Sequence, residues 1–211
     1  MKKILFTGCG GQIGSELTLA FRKIYGDSNV VASDVSDKIS TELRESGPFV
    51  HLDVLDAKAI AETVDKYEID AVVHLAAILS AVGEKNPQLA WDVNMNGTVN
   101  IFELAREKQL KRVLVPSSIA VFGHDTPAVM TPQKTVLHPS TMYGVTKVAI
   151  ELLGSYYNLK YDMDIRGLRY PGVISHKTLP GGGTTDYAVA IYFDAVKKGS
   201  YDCFLKKETM L

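Results

Sequence analysis

Six short apolar runs separated by stretches of helical spacing constrain this 211-residue chain more than any other feature. The runs cover residues 3–7, 30–33, 48–52, 71–76, 112–117 and 164–170, each short and apolar enough for a strand buried on both faces. Between them lie helical patterns. Ile13, Leu17, Ala20, Phe21 and Ile24 share one face and stop at Gly26, and further helices are expected over 57–67, 87–107 and 139–161, the last with Pro139 in its first turn. Strand-helix alternation of this kind predicts an α/β fold, a doubly wound parallel sheet of the Rossmann type with helices on both faces.

Composition narrows the function. With 23 Lys and Arg against 24 Asp and Glu, the net charge is -1, so no basic excess exists to neutralise a phosphate backbone and nucleic acid is not the expected partner. The longest apolar stretch, residues 71–79, contains His74 and falls far short of the roughly 20 residues that span a bilayer. The first strand starts almost at Met1 and leaves no room for a leader, which makes the cytoplasm the expected compartment. Cys9 and Cys203 are too few for a disulfide framework, and neither they nor His51, His74, His124, His138 and His176 show metal-ligand spacing. Cys9 reads as a small loop-filling residue, with oxidation sensing as the alternative.

The turn after the first strand reads Thr7-Gly8-Cys9-Gly10-Gly11-Gln12-Ile13-Gly14. Gly8, Gly11 and Gly14 supply a tight turn, a backbone open to a pyrophosphate and a helix N-terminus whose N–H groups favour an anion. Asp34 closes the second strand, where a carboxylate accepts hydrogen bonds from ribose hydroxyls and repels a 2′-phosphate, so NAD is expected over NADP. Asp53 and Val54 follow the third strand and suit the amino group and face of an adenine. Leu75, Ala76 and Ala77 end the fourth with small side chains, as a close ligand requires.

The second half carries the candidate chemistry. Tyr143 and Lys147 stand four apart on one helix face, where an ammonium would draw a tyrosine pKa down from about 10 toward the range of a general base. Ser117 and Ser118 end the fifth strand at the carboxyl edge of the sheet, where ligands of parallel sheets bind. Gly181, Gly182 and Gly183 precede Thr184, Thr185 and Asp186, which open a helix through Ala188, Ile191, Tyr192 and Ala195. Thr184 and Asp186 suit a small zwitterion as well as they suit ordinary N-capping.

Together these motifs, with Val93-Asn94-Met95-Asn96-Gly97-Thr98 and Ser117-Ser118-Ile119-Ala120-Val121-Phe122-Gly123, resemble the extended short-chain dehydrogenase/reductase superfamily. Within it the chain resembles the short-chain family of L-threonine 3-dehydrogenases in Glu84-Lys85-Asn86-Pro87, in Pro139-Ser140-Thr141-Met142-Tyr143-Gly144, in Arg169-Tyr170-Pro171-Gly172 and in the segment from Pro180 to Ala188. The resemblance places the catalytic hydroxyl on Ser118 rather than Ser117, with Tyr143 as base and Lys147 as its partner. It implies a cofactor site of Gly8, Gly11, Gln12, Ile13, Gly14, Asp34, Asp53, Val54, Leu75, Ala76, Ala77, Asn94, Tyr143, Lys147, Tyr170 and Pro171. It also implies a substrate site of Ser80, Ser118, Tyr143, Thr184 and Asp186, with NAD as cofactor and L-threonine as substrate. Residues 1–172 are then the NAD-binding domain, and 173–211 a substrate loop and lid that is incomplete at Leu211. The helices over 87–107 and 139–161 are where the superfamily pairs subunits, so a homodimer is expected, with Trp91, Tyr156 and Tyr157 as anchors.

Overall fold

The computed structural model describes residues 2–175, 177–179, 181–183 and 185–207. Its centre is a parallel sheet in which β1 (Ile4–Thr7) pairs with both β2 (Val30–Asp34) and β4 (Ala71–His74). β3 (Phe49–His51) extends the sheet beyond β2, and β5 (Arg112–Leu114) and β7 (Ile165–Arg166) extend it beyond β4. The order β3-β2-β1-β4-β5-β7 reverses direction between β1 and β4, so the crevice for a ligand opens at the carboxyl ends of those two strands.

Period-two alternation splits the core into two layers. Leu5, Val31, Val72, Val113 and Ile165 face one side, against α3 (Ala57–Lys66), α6 (Gly97–Glu107) and α7 (Met142–Tyr161) through Ile60, Ile101 and Ile150. Ile4, Phe6, Val30, Ala32 and Val73 face the other, against Leu19 of α1 (Gln12–Tyr25) and Leu43 of α2 (Thr41–Glu45). The five-residue α2 carries no periodicity that a sequence reading can detect. It is capped by Ser40 and held by Arg22, whose buried guanidinium donates to the carbonyls of Val30, Leu43 and Pro48 and to Ser46 Oγ.

Several boundaries differ from those expected. The run over 112–117 divides into β5 and β6 (Ser117–Ser118), and that over 164–170 into β7 and β8 (Arg169–Tyr170). Pro116 has no N–H for the ladder, and at Gly167 an ideal Cβ would stand 2.4 Å from the Val115 carbonyl oxygen. The helix expected over 87–107 spans those bounds without a break, α5 (Pro87–Trp91) passing into α6 through a π-helical turn at Asp92–Asn96, and the separate α4 (Ser80–Lys85) precedes it. α7 begins at Met142, not Pro139, because the Thr141 side chain accepts from the Gly144 N–H at 3.0 Å and caps it there. Tyr157, expected as a surface anchor, is buried on Phe102 and donates to Glu103. After β8 the chain continues to α8 (Tyr187–Lys198). Among the described residues no helix is long and apolar enough to cross a membrane.

Candidate active site

The turn between β1 and α1 is shaped by glycines with different tasks. Gly8 adopts φ 71°, which an L side chain rarely does, and an ideal Cβ on Gly14 would sit 2.2 Å from the Gly8 carbonyl oxygen. At Gly11 the nearest atom to such a Cβ is 3.4 Å away, so this position is open. Gly11 is the N-cap of α1 and brings no capping side chain, so the first N–H groups of the helix are left for a ligand. These features fit a pyrophosphate.

A cleft of about 430 Å³ extends from this turn. Gly8, Gly11, Gln12, Ile13 and Gly14 form one wall, and Leu75, Ala77 and Ser80 a second. Ser118, Tyr143 and Lys147 line it as well, beside Tyr170, Pro171 and Asp186. Among the described residues, the remaining expected ones are not part of this lining. Asp34 Oδ2 accepts from the Gly10 N–H at 2.8 Å, which sets the carboxylate against the glycine turn at the end of β2. Ala76 supplies backbone, packed on Gly8. Asp53 is exposed and accepts from the Leu55 N–H, and Val54 is buried where Gly97 leaves room for it. Thr184 lies outside the described residues. Thr185, not singled out as a ligand in the sequence, lines the cleft, as do Pro116, Ile119 and Val173. Ile119 and Thr185 stand inside motifs that carry the resemblance, and Pro116 and Val173 directly beside them.

Asn94 is buried behind the wall. Its amide accepts from Ile78 N–H and donates to Ile78 carbonyl and Thr146 Oγ1, tying the segment after β4 to α7. Beside it, Thr98 gives its one hydroxyl proton to the Asn94 carbonyl at 2.6 Å. Thr98 therefore accepts from His74 Nε2–H, and Nδ1 accepts from Thr7 Oγ1 at 2.8 Å. Burial and Lys147 hold His74 neutral, its pKa pushed down to about 3.

Side-chain alternation separates the two serines. Ser117 donates to Glu151 Oε1, whereas Ser118 faces Tyr143 and accepts from the Ala120 N–H as the cap of a short 3-10 turn at Ile119–Val121. Lys147 Nζ lies 5.4 Å from the centroid of the Tyr143 ring and donates to the Pro116 carbonyl at 2.9 Å. Burial lowers its pKa to about 8. The expected lowering of the Tyr143 pKa is not what the protein alone produces. Burial raises it, because a low-dielectric wall penalises a phenolate, and the hydrogen bond with Ser118 pulls the other way. The Cys9 thiol is fully buried and pushed up to about 12 by burial and Asp34, which suits a loop filler and not a thiolate sensor. Among the described residues no group of three or more His, Cys, Asp or Glu side chains can hold a metal.

Residues 4–205 match the NAD dependent epimerase/dehydratase family. The chain belongs to that family. Its cofactor is NAD, which the open Gly11 backbone and the uncapped start of α1 fit. An uncharacterized epimerase/dehydratase of Staphylococcus saprophyticus is 50% identical over 211 residues, which are 100% of this chain and 66% of that protein. The chain thus spans slightly less than two thirds of that relative. The X-ray structure of L-threonine dehydrogenase from Clostridium difficile superposes with a TM-score of 0.91 at 52% identity, covering 97% of this chain and 64% of that one. A monomeric L-threonine 3-dehydrogenase from a metagenome, in its apo form, gives a TM-score of 0.91 at 48% identity, covering 97% and 65%.

Proposed function

We propose that the chain oxidises L-threonine at its side-chain carbon to 2-amino-3-ketobutyrate. The observation that carries this reading is the convergence of Ser118, Tyr143 and Lys147 with the Gly183–Thr185–Asp186 turn on one small cleft, joined to structural neighbours that are L-threonine dehydrogenases. When bound, NAD supplies the hydride acceptor. Ser118 hydrogen-bonds the substrate hydroxyl and orients it, and the Tyr143 phenol oxygen, once ionised, takes its proton. Lys147, held by Pro116, places a positive charge beside that ring. Asp186 Oδ2 accepts from the N–H groups of Gly182 and Gly183 at 2.8 and 2.7 Å, and its Oδ1 is the oxygen proposed for the substrate ammonium. The remaining site assignments made from the sequence, and the division at residue 172 into a cofactor domain and a substrate loop, belong to the same proposal. The cytoplasm is the compartment proposed with it, supported by two free thiols.

NADH formation from NAD with L-threonine, L-serine, D-threonine and a sugar nucleotide tests the reading. Turnover of L-threonine alone is expected. Interconversion of the sugar nucleotide without net NADH would replace it with an epimerase, and saturable NAD binding without any turnover would replace it with a binding role. Pairing of two copies is also proposed, through Leu89 and Trp91 of α5 and Leu152, Tyr156 and Leu159 of α7, which are 40–89% exposed. The monomeric neighbour shows that a relative of this fold stands without such pairing, so light scattering decides the point.

A further inference from the structure

Tyr143, Lys147 and Glu151 follow one another at four-residue intervals along α7 and so share one face. Each meets one of three successive residues, β6 and the proline before it: Tyr143 meets Ser118, Lys147 the Pro116 carbonyl and Glu151 the Ser117 hydroxyl. The first two contacts belong to the candidate chemistry. The third does not reach the reacting atoms.

The strand that Glu151 grips is short. β6 and β8 are two residues each and form two pairings, Ser117 with Arg169 and Ser118 with Tyr170. A ladder of this size is not rigid by itself. It is also bordered by a second cavity of about 570 Å³, which shares Ser117, Tyr170 and Pro171 with the cleft. Glu151 bridges both strands. Its carboxylate receives Arg169 Nε at 2.8 Å and Nη2 at 2.7 Å in a bidentate pair, with side-chain exposures of 26% for Glu151 and 13% for Arg169, and the Ser117 hydroxyl on the same Oε1. Arg169 is fixed in turn by the Gln133 carbonyl at 3.0 Å and by the Phe122 ring, 5.3 Å from its guanidinium carbon to the centroid. Planar, two-point pairing of this kind fixes direction as well as distance.

We propose that Glu151 is a positioning residue: through Ser117 and Arg169 it sets the register of β6 and β8 against α7, so that Ser118 and Tyr143 converge on one substrate oxygen. The proposal rests on the reading of the cleft as a Tyr143-dependent oxidoreductase site. The Glu103 carboxylate, which accepts from Tyr157 and pairs with Arg106 away from the cleft, supplies the comparison for a purely structural loss.

The experiment has one readout that needs turnover and one that does not. In Glu151→Ala, kcat for L-threonine is expected to fall about tenfold to a hundredfold, the range that a small misplacement of reacting groups produces, while NAD affinity stays within about threefold. In parallel, protein labelled with 13C at the tyrosine ring carbon bearing oxygen is titrated without NAD, the Tyr143 resonance being assigned by its loss in Tyr143→Phe. Its midpoint is expected to rise in Glu151→Ala, because the Ser118 bond that steadies the phenolate is weakened, and to stay put in Glu103→Ala. Glu151→Gln, which keeps an acceptor for Ser117, is expected to recover part of both losses. If the alanine variant does not fold, Glu151→Gln and Arg169→Lys carry the same two measurements. Unchanged kcat and midpoint in a folded Glu151 variant overturn the proposal, as does a midpoint shift that Glu103→Ala reproduces. Failure of the wild-type protein to oxidise any substrate would instead remove the functional reading, and the titration would still decide whether Glu151 sets the Ser118–Tyr143 contact.

Discussion

Lys147 Nζ donates to the carbonyl oxygen of Pro116 at 2.9 Å, and the strand geometry explains why that oxygen is available. The N–H groups of Val113, Val115 and Ser117 bond toward the segment running from Asp164 to Leu168. The carbonyl of the intervening Pro116 therefore points to the opposite side, beyond His74, the last residue of β4. The proline that breaks the ladder leaves a backbone dipole aimed at the lysine.

Burial makes the charged Lys147 costly to the fold. Its pKa of about 8 in the folded protein lies below the ordinary value near 10.4, so between these limits the unfolded chain binds more protons. Stability relative to Lys147→Met is expected to be constant below about pH 8 and to rise by about 3 kcal/mol as pH climbs to about 10.4. Urea denaturation of both proteins across that range checks it, and parallel pH profiles would show that the lysine is not desolvated.

Tyr143→Phe removes the proposed base while keeping the ring in place. Turnover is expected to drop by about two to four orders of magnitude with NAD affinity within a few-fold. Because burial raises the Tyr143 pKa, the protein alone holds it as a phenol at neutral pH, and wild-type kcat/KM is expected to increase with pH through the neutral range. A flat profile in a fully folded enzyme would point to a different base.

The glycine turn separates folding from binding. Gly14→Ala places a methyl against the Gly8 carbonyl and is expected to disrupt the turn, lowering the melting temperature and abolishing NAD binding together. Gly11→Ala meets nothing closer than 3.4 Å and is expected to leave the melting temperature nearly unchanged while weakening NAD at least about tenfold, by filling the space a pyrophosphate needs. Calorimetric titration with melting curves tests the contrast, which fails if both variants lose the two properties in step.

His74 gives acid sensitivity to the link between the end of β1 and α6. Its pKa is pushed from 6.5 to about 3, so the unfolded chain takes up the proton first. The stability that His74 contributes is fully present above about pH 6.5 and is lost progressively as pH falls toward 3. His74→Gln, which lacks that titration, is expected to show a shallower loss over the same window. Equal slopes would mean that the imidazole is charged in the folded protein.

Much of this molecule is legible in its residues. Strand identity follows from short apolar runs, which place Leu5, Val31 and Val72 on one buried face and Ile4, Phe6 and Val73 on the other. The glycine turn follows from Gly8, Gly11 and Gly14, and the helix that carries the proposed base from the four-residue spacing of Tyr143 and Lys147, because these are properties of neighbouring backbone and need no distant partner. What the tertiary structure decided depends on groups far apart in the chain. Only packing shows that Ser117 turns to Glu151 while Ser118 turns to Tyr143, that Tyr157 lies inward on Phe102, that Arg22 clamps four groups around α2, and that Pro116 offers its carbonyl to Lys147. Local spacing sets which face a side chain takes, whereas burial and partnership are set by other elements of the fold, and with them the local dielectric. That is why the sequence by itself determined the identity of the candidate base and its lysine, and only the assembled fold decided their protonation.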